Sequence, residues 1–352
     1  MRMHTPKVLV VATSRKTRGG ITSVVKAHET SEQWKKYHCK WIETHRDGNN
    51  IRKLWYLGTA LIEYICLLPF YDIVHIHVGL RTSVRRKLIF AHIARSLKKK
   101  IIIHFHPATE KHLFNPEFNA NIKKLFNISD KLLVLSPKWI EWINEAFPKN
   151  RYNMEVVYNP CPNVKRSDQR DKYILYAGIL SDRKGYNRLM EAFSKIATKY
   201  SDWKIVFAGN GEIDKGKTLA IQFGIEQQTI FLGWITGSDK ENVFQHASIY
   251  CLPSWGEGFP MGVLDAMAYG IPVVTTPVGG LEKVFHNEID AMIYETYDLD
   301  MLAEKLELLI RSEEYRYSMS HEADKLVYND FNITNICNKI EKIYESMYVV
   351  RN

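Results

Sequence analysis

Two acidic side chains that could bracket a ligand, Glu257 and Asp265, lie eight residues apart. They belong to the segment from Pro253 to Glu282, PSWGEGFPMGVLDAMAYGIPVVTTPVGGLE. The apolar run before this segment predicts a buried strand, and a helix is expected to begin near Pro260 or Met261. The N–H groups at a helix N-terminus bind anions, so the pattern predicts a phosphate seat between the two acids.

A second strand-loop-helix pattern follows directly. Residues 273–276 predict a strand, residues 277–280 predict a loop, and another helix is expected after that loop. Both helix N-termini would then face the same edge of a parallel sheet. Because helical side chains lean toward the N-terminus, Asp265 could reach a group beyond the anion. A nucleotide sugar fits this arrangement, and the competing interpretation is a tight turn with two solvated acids.

The segment resembles the donor-binding signature of retaining glycosyltransferases of the GT-B fold, in the family 4 group (glycosyl transferases group 1). The matching residues are Pro253-Ser254, Glu257-Gly258-Phe259, Ala266-Met267-Ala268, Gly270, Pro272-Val273-Val274 and Gly279-Gly280-Leu281-Glu282. Asp265 departs from the pattern, because the family usually has Glu there, whose side chain is longer by about 1.5 Å. The resemblance implies an α/β protein with two doubly wound, parallel-sheet (Rossmann-like) domains that face each other across a cleft.

The resemblance also implies roles for residues in the second half. Glu257 would orient the donor sugar, Asp265 would contact the ribose, and Lys184 would bind the diphosphate. Ile179 replaces an arginine of the family pattern, and Arg183 is expected to contribute instead. The other donor contacts that it implies are Gly209, Trp234, Ile235, Gly258, Phe259, Pro260, Met261 and Gly262. A solvated Lys184 and a Trp234 that serves only as a core or surface aromatic are the competing interpretations.

In the first half, the resemblance points to a histidine and a pair of glycines. His106 resembles the family histidine that faces the donor sugar, and Gly19-Gly20 resembles glycines that let the backbone approach the donor phosphate. A structural histidine and a plain flexible turn are the alternatives. Three more histidines, His75, His77 and His104, could join His106 in a metal site, but no carboxylates complete the set. We therefore expect no metal and no cofactor, and a UDP-sugar rather than a GDP-sugar as the donor substrate.

Apolar runs and helical patterns alternate along the chain, which predicts parallel sheets covered by helices. Strands are expected at residues 7–12, 72–78, 101–105, 131–135, 173–177, 204–208, 229–232, 249–252 and 272–276, and helices at about 21–30 and 83–97. The sequence Asp298-Leu299-Asp300 resembles a metal-binding motif, but a helix N-cap is the better interpretation. The predicted domains are residues 1–165 for the acceptor and residues 166–331 for the nucleotide sugar, with a helix over 332–352 that packs back on the first domain.

The net charge of +9 is unevenly distributed. Residues 1–165 hold 28 Lys and Arg against 12 Asp and Glu, whereas the rest of the chain holds 20 against 27. No nucleic-acid motif accompanies this charge. The basic clusters at 81–87 and 98–100 flank helices beside apolar surface. This combination favours an anionic membrane surface over nucleic acid as the partner. An ordinary solvated surface is the alternative.

The segment 54–70 is the most apolar part of the chain, but it is short for a membrane span and contains Glu63. It predicts a largely buried or surface-seated helix. The five cysteines are scattered, and the short apolar run at 8–12 predicts a first strand rather than a secretory signal. We therefore expect a cytoplasmic protein, with peripheral attachment to the inner face of the cell membrane.

These observations predict a retaining glycosyltransferase that moves a sugar from a nucleotide-diphosphate donor to a hydroxyl of a glycan or lipid-linked acceptor. The resemblance places it in bacterial surface-polysaccharide assembly, with His106, Lys184 and Glu257 as catalytic residues. Two other classes remain open. One is a nucleotide-sugar epimerase of the GT-B fold, and the other is a non-catalytic partner subunit, to which the departures at Ile179 and Asp265 would be suited.

Overall fold

The computed structural model describes residues 5–79 and 81–348. The chain forms two compact units, each described here by itself. The first unit runs up to Pro160 and includes the chain from Ile333 onward, and the second is Cys161–Asn332. The change from the first unit to the second therefore falls in a stretch that contains Pro160 and Pro162.

The first unit is built on six parallel strands in the order β2-β1-β3-β4-β5-β6. The strands are β1 (Val8–Ala12), β2 (Lys40–Glu43), β3 (Ile73–Val78), β4 (Lys100–Phe105), β5 (Lys131–Val134) and β6 (Met154–Val156). The helices are α1 (Gly20–Glu29), α2 (Glu32–Lys36), α3 (Asn50–Leu67), α4 (Thr82–Ser96), α5 (Lys111–Phe114), α6 (Pro116–Ile128) and α7 (Pro137–Ala146). All residues of β1 and β3 are buried, as expected for strands covered on both faces.

The second unit has a sheet of the same kind, with the order β12-β11-β10-β7-β8-β9 and all pairs parallel. Its strands are β7 (Asp171–Ala177), β8 (Lys204–Ala208), β9 (Thr229–Gly233), β10 (Ala247–Leu252), β11 (Val273–Thr275) and β12 (Met292–Ile293). Its helices are α8 (Tyr186–Ser194), α9 (Ile213–Gln222), α10 (Gly237–His246), α11 (Met261–Ala268), α12 (Leu299–Arg311) and α13 (Glu313–Asn329). The Asp298 side chain accepts a hydrogen bond from the Met301 N–H at 2.9 Å, which confirms the predicted N-cap of α12.

The α-helix predicted after residues 277–280 is wrong. The segment Val278–Lys283 is a kinked 3₁₀ turn in which Gly279 and Gly280 have φ angles of 66° and 80°. Two successive left-handed residues cannot continue a right-handed helix. A Cβ at Gly279 would lie 2.4 Å from the carbonyl oxygen of Gly258, so this turn packs its backbone directly on the loop before α11.

The last helix, α14 (Ile333–Tyr348), belongs to the first unit. It buries a stripe of side chains in the same core as β1, namely Ile336, Ile340, Ile343 and Tyr344. The Tyr344 hydroxyl lies 2.7 Å from Nδ1 of His75 on β3. The helix is therefore part of the first unit's core and also closes its polar interior.

The most apolar segment of the sequence forms α3 and a short 3₁₀ turn, Leu68–Phe70. Of its two predicted states, the surface-seated one is correct, because only Ala60 and Tyr64 of the α3 side chains are buried. Among the residues that the structure describes, no helix is long and apolar enough to cross a bilayer.

Imidazole rings stack on one face of the first unit's sheet. The ring centroids of His75 and His77 are 4.6 Å apart, those of His77 and His104 are 4.8 Å apart, and those of His104 and His106 are 4.3 Å apart. Burial lowers the pKa of a further histidine, His28, to about 4. Burial also lowers the pKa of His106 to about 3, with a smaller electrostatic contribution from His28. Burial, reinforced by the neighbouring imidazoles, also holds the pKa values of the other three rings well below the usual 6.5. The stack is therefore neutral at neutral pH.

We expect acid to destabilise the protein through this stack. The unfolded chain protonates these imidazoles below a pH of about 6.5, whereas the folded chain does not, so the stabilisation is complete above that pH and is lost as the pH falls. The thermal unfolding midpoint, measured from neutral to mildly acidic pH, should fall steeply in the wild type and less steeply in His104→Leu. Exposed His92 provides the control, since His92→Leu should keep the wild-type slope. Equal slopes in all three proteins would contradict this account.

Candidate active site

The strand order of the second unit reverses between β7 and β10. The chain adds β8 and β9 on one side of β7 and then crosses over to place β10 and β11 on the other side. In open parallel sheets, ligands bind beyond the carboxyl ends of the strands at such a reversal. The two segments that follow β7 and β10, residues 178–185 and 253–260, therefore border the candidate site.

These two segments are in backbone contact. Gly185 has a left-handed φ of 76°, and a Cβ at this position would lie 2.0 Å from the carbonyl oxygen of Pro253. The N–H of Trp255 donates to the carbonyl oxygen of Arg183 at 2.9 Å, and the hydroxyl of Ser254 donates to the same oxygen at 3.0 Å. The close approach requires glycine, and it fixes the residues before Gly185 against the loop after β10.

The contact brings three predicted residues together. One carboxylate oxygen of Glu257 lies 3.1 Å from Nζ of Lys184 and 3.1 Å from a guanidinium nitrogen of Arg183. The Ser254 hydroxyl donates to the same oxygen at 3.1 Å. The side chains of Glu257 and Lys184 are only 11% and 18% exposed, so water screens the pair weakly. Two cations against one carboxylate leave a net positive charge at the sheet edge, which suits an anionic ligand.

Helix α11 begins beside this cluster. It follows Pro260, and no side chain caps its N-terminus. A Cβ at Gly262 would lie 2.1 Å from the Tyr250 hydroxyl oxygen, so the first turn of the helix rests directly on β10. The Tyr250 hydroxyl in turn donates to the carbonyl oxygen of Ala177, at the end of β7, at 3.3 Å. The glycine thus sets how near the helix dipole comes to Lys184.

The predicted residues around the start of α11 differ in how far they are exposed to solvent. Gly258, Phe259 and Pro260 are buried, whereas Met261 and Gly262 are partly exposed. The ring of Phe259 packs against those of Phe285 and Phe331, with centroids 6.3 and 5.7 Å apart. Its side chain therefore belongs to the core, and a ligand contact at Phe259 would have to use its backbone.

Asp265 has a partner that the sequence did not predict. Its carboxylate accepts a hydrogen bond from Nζ of Lys240 on α10 at 2.7 Å. The Asp265 side chain is 14% exposed and the Lys240 side chain is 40% exposed. The shorter acid in place of the family glutamate is thus joined to a cation that water, and hence a ligand, can reach. Nothing in the spacing of the two residues along the chain signals this pair.

The remaining predicted residues of the second unit lie after β8 and β9. A Cβ at Gly209 would lie 1.8 Å from the carbonyl oxygen of Gly178, so this glycine allows the loops after β7 and β8 to touch. Trp234 is 45% exposed and Ile235 is partly buried. Ile179, at the position of the family arginine, is 51% exposed. These residues border the same sheet edge as Glu257.

The first unit brings its own predicted residues to one edge of its sheet. Gly19 precedes α1 at the carboxyl end of β1, and His106 directly follows β4. The His106 N–H donates to the carbonyl oxygen of Val78 at 2.7 Å, and its Nε2 lies 3.0 Å from Nδ1 of His77. Its lowered pKa makes His106 a neutral hydrogen-bonding group.

Arg15, in the loop before Gly19, is already paired. Its guanidinium forms an ion pair with Glu29 and a second one with Glu43, the latter at 2.7 Å. It also lies over the ring of Trp41, with 4.4 Å between the guanidinium carbon and the ring centroid. Arg15 therefore holds the loop in place, and its charge is balanced by two carboxylates.

Three rings of the histidine stack lie close enough together to be compared with a metal site. Ring nitrogens of His75, His77 and His104 lie within 4.8 Å of one another. The rings of His75 and His77 are stacked with 20° between their planes, and those of His75 and His104 with 15°. Nearly parallel ring planes are typical of aromatic stacking, whereas a zinc site needs ligand nitrogens that converge tetrahedrally.

Two parallel six-stranded sheets, each with a strand-order reversal, define the class of the protein as the GT-B fold. The chain superposes on the crystal structure of Anabaena HepE in complex with UDP-glucose with a TM-score of 0.76. The match covers 97% of this chain and 100% of that chain at 15% identity, so it shows the fold alone.

Sequence comparison supplies the family. Residues 161–326 match the family described as Glycosyl transferases group 1. An uncharacterized glycosyltransferase of Haemophilus influenzae is 29% identical over 66% of this chain and 67% of its own length. An Escherichia coli protein, UDP-Gal:alpha-D-GlcNAc-diphosphoundecaprenol alpha-1,3-galactosyltransferase, is 27% identical over 79% of this chain and 76% of its own. Residues 161–326, about half of the chain, thus match this family, and the protein is a glycosyltransferase that uses a nucleotide-sugar donor.

Substitution of Gly262 should disturb the start of α11. In Gly262→Ala the new methyl group meets the Tyr250 hydroxyl, so the helix must shift, at a cost of about 1–3 kcal/mol in unfolding free energy and with weaker UDP binding. Adding Tyr250→Phe removes the obstructing oxygen. The double variant should therefore regain part of the lost unfolding free energy and part of the lost UDP affinity. Calorimetric titration with UDP and thermal unfolding measure the effects. Gly58→Ala, where a Cβ meets nothing within 4 Å, is the matched control. Equal effects with and without the Tyr250 hydroxyl would refute this packing argument.

Removal of the cation beside Asp265 should weaken nucleotide binding. In Lys240→Ala the Asp265 carboxylate loses its neutralising partner, and the remaining negative charge repels a diphosphate nearby. We expect UDP affinity to fall about five- to tenfold at low salt, and by less at high salt because the repulsion is screened. Lys240→Arg should retain most of the affinity, and Lys217→Ala, at an exposed position of α9, should retain all of it. An unchanged affinity in Lys240→Ala would place this pair outside the reach of the nucleotide.

Proposed function

We propose that the protein is a retaining glycosyltransferase that transfers a sugar from a UDP-sugar to a hydroxyl of a lipid-linked glycan. The observation that carries this proposal is the cluster of Lys184, Arg183 and Glu257 beside the N-terminus of α11. A doubly cationic group next to a helix N-terminus suits a diphosphate, and the carboxylate in the same cluster suits a hydroxyl-bearing sugar attached to it.

The donor is proposed from the site and from relatives. The E. coli relative is named for the donor UDP-Gal, and the HepE structure holds UDP-glucose. In this chain, the exposed indole of Trp234 and the backbone of Ile235 follow β9 at the same sheet edge, where they could contact a uracil. Asp265, supported by Lys240, is proposed to accept from the ribose hydroxyls.

The proposed chemistry is one of charge stabilisation. The bond between the anomeric carbon and the β-phosphate oxygen breaks, and Lys184, Arg183 and the α11 N-terminus stabilise the charge on the departing diphosphate. The acceptor oxygen bonds to the anomeric carbon on the same face, and its proton passes to the leaving phosphate oxygen. Glu257 orients the sugar, while His106, being neutral, hydrogen-bonds a sugar hydroxyl. No metal ion is required in this scheme.

The acceptor is proposed from charge and kinship. The excess of basic residues in the first half favours a negatively charged environment such as the inner surface of a bacterial membrane. The E. coli relative is named for a diphosphoundecaprenol-linked acceptor. We therefore infer an acceptor of the same chemical class, a sugar on a polyprenyl diphosphate, and a role in surface-polysaccharide assembly at the cytoplasmic face.

Incubation with UDP-, GDP- and ADP-sugars and a lipid extract tests this function. We expect consumption of a UDP-sugar, a product that retains the anomeric configuration, and activity that survives a metal chelator. Lys184→Ala and Glu257→Ala should each lower kcat by about 100-fold or more, whereas Lys204→Ala, at the opposite end of β8, should not.

Three results of this experiment would count against the proposal. A sugar product isomerised without acceptor would favour the epimerase. Consumption of no sugar at all would favour the non-catalytic subunit. Wild-type turnover in both Lys184→Ala and Glu257→Ala would remove the cluster from the mechanism.

A further inference from the structure

Helix α3 presents an unusual amount of apolar surface to solvent. Five of its large apolar side chains are 51–81% exposed. These residues, termed the solvent stripe below, are Ile51, Leu54, Trp55, Ile62 and Ile65. Single exposed apolar side chains are common on proteins, but a contiguous set on one helix marks an interaction surface.

The spacing of the solvent stripe places it on one face. Successive steps of four, three, four and three lead from Ile51 to Trp55, Gly58, Ile62 and Ile65, which is the spacing of neighbours along a helix surface. Tyr64 lies on the opposite face. There its hydroxyl donates to the carbonyl oxygen of Phe90 on α4 at 2.9 Å. The inward face thus anchors α3 to the first unit and leaves the solvent stripe outward.

Cations flank the solvent stripe at both ends. Arg52 and Lys53 are exposed in the first turn of α3. At the other end, Nζ of Lys99 donates to the carbonyl oxygen of Pro69, next to Phe70, whose side chain is 71% exposed. The only acid on the helix is Glu63, which Lys40 neutralises at 3.2 Å. Over residues 46–100 the chain holds 11 Lys and Arg against three Asp and Glu.

This charge decides between two partners. A second copy of the chain would bring two strongly basic faces together, and their repulsion would oppose the pairing. An anionic bilayer accepts both the cations, at its headgroups, and the apolar side chains, at the boundary with the acyl chains. We propose that α3 is a membrane-seating helix that lies in the plane of an anionic bilayer with the solvent stripe inserted and Arg52, Lys53 and Lys99 at the headgroups.

The position of α3 places the proposed membrane-binding surface near one edge of the first unit's sheet. The helix starts after the carboxyl end of β2 and finishes just before β3, so it runs opposite to the strands. Its N-terminal turn, with Ile51, Leu54 and Trp55, therefore lies toward the edge that carries Gly19 and His106. A bilayer along α3 comes close to that edge, where a polyprenyl-linked acceptor would present its sugar. This inference extends the proposed membrane acceptor and rests on it only for this last point.

Binding to vesicles of equal parts phosphatidylglycerol and phosphatidylcholine tests the seat, with phosphatidylcholine vesicles as reference. The decisive variant is Ile62→Lys/Ile65→Lys, because it adds two positive charges while removing apolar surface. Insertion predicts that its affinity for the anionic vesicles falls at least about tenfold. The matched control is Ile221→Lys/Tyr328→Lys in the second unit, where the original side chains are 69% and 61% exposed. This control should bind as the wild type does or slightly better.

The native Cys66 gives a second readout that does not depend on affinity. It is exposed, four residues after Ile62, whereas Cys161, Cys251 and Cys337 are buried. A polarity-sensitive fluorophore attached to it should shift to the blue on anionic vesicles and remain unshifted in buffer or with phosphatidylcholine alone. Thermal unfolding shows whether the lysine variant is folded. If it is not, the fluorophore on otherwise wild-type protein still tests whether α3 inserts into the bilayer.

Two outcomes would overturn the proposal. Equal or tighter vesicle binding by the lysine variant, with no fluorophore shift, would leave only surface attraction by charge. The solvent stripe would be assigned to a second copy of the chain if the wild type were dimeric in sedimentation, the lysine variant were monomeric and both bound vesicles equally. The two proposals fail separately: vesicle binding as expected, together with no consumption of any nucleotide sugar in the incubation with lipid extract, would refute the proposed function and leave the membrane seat standing.

Discussion

The backbone contact between Gly185 and the carbonyl oxygen of Pro253 is the constraint on which the site of the second unit depends. It holds the loop after β7 against the loop after β10, and because Lys184 immediately precedes the glycine, the lysine is delivered to Glu257. A side chain of any size at position 185 would separate the loops and the charges together. The position of one cation is thus set by sterics between backbones as well as by its own ion pair.

The same device recurs around the cluster. Gly279 approaches the backbone at Gly258, Gly209 approaches Gly178, and Gly262 rests on the Tyr250 hydroxyl. Four loops are therefore packed backbone to backbone or nearly so, and the net positive charge at their centre is held by a rigid frame. Because the cluster is preorganised in this way, the site need not rearrange to bind a diphosphate. The free energy needed to bring like charges together is supplied during folding rather than during binding.

The sequence predicts most of the fold because the strands of the two sheet interiors are apolar on both faces. The edge strands β2, β6 and β12 are not predicted, since runs of only two to four residues carry no distinct pattern. The site residues around Glu257 could be anticipated because they lie close together in the chain. Lys240 could not, because its contact with Asp265 depends on how α10 packs against α11. The segment 54–70 was ambiguous for a physical reason, since its helix is apolar on the anchored face and on the outward face alike.

The packing of α14 has a consequence for how the chain is made. The first unit draws four core side chains, Ile336, Ile340, Ile343 and Tyr344, from a helix that is synthesised after the whole second unit. The second unit is one uninterrupted stretch, Cys161–Asn332, and needs nothing that follows it. Domains generally fold as units during synthesis, N-terminal ones first. Here that order should be inverted: the first unit is begun first but is completed only after the second unit has been made, and its apolar core stays incomplete until α14 emerges.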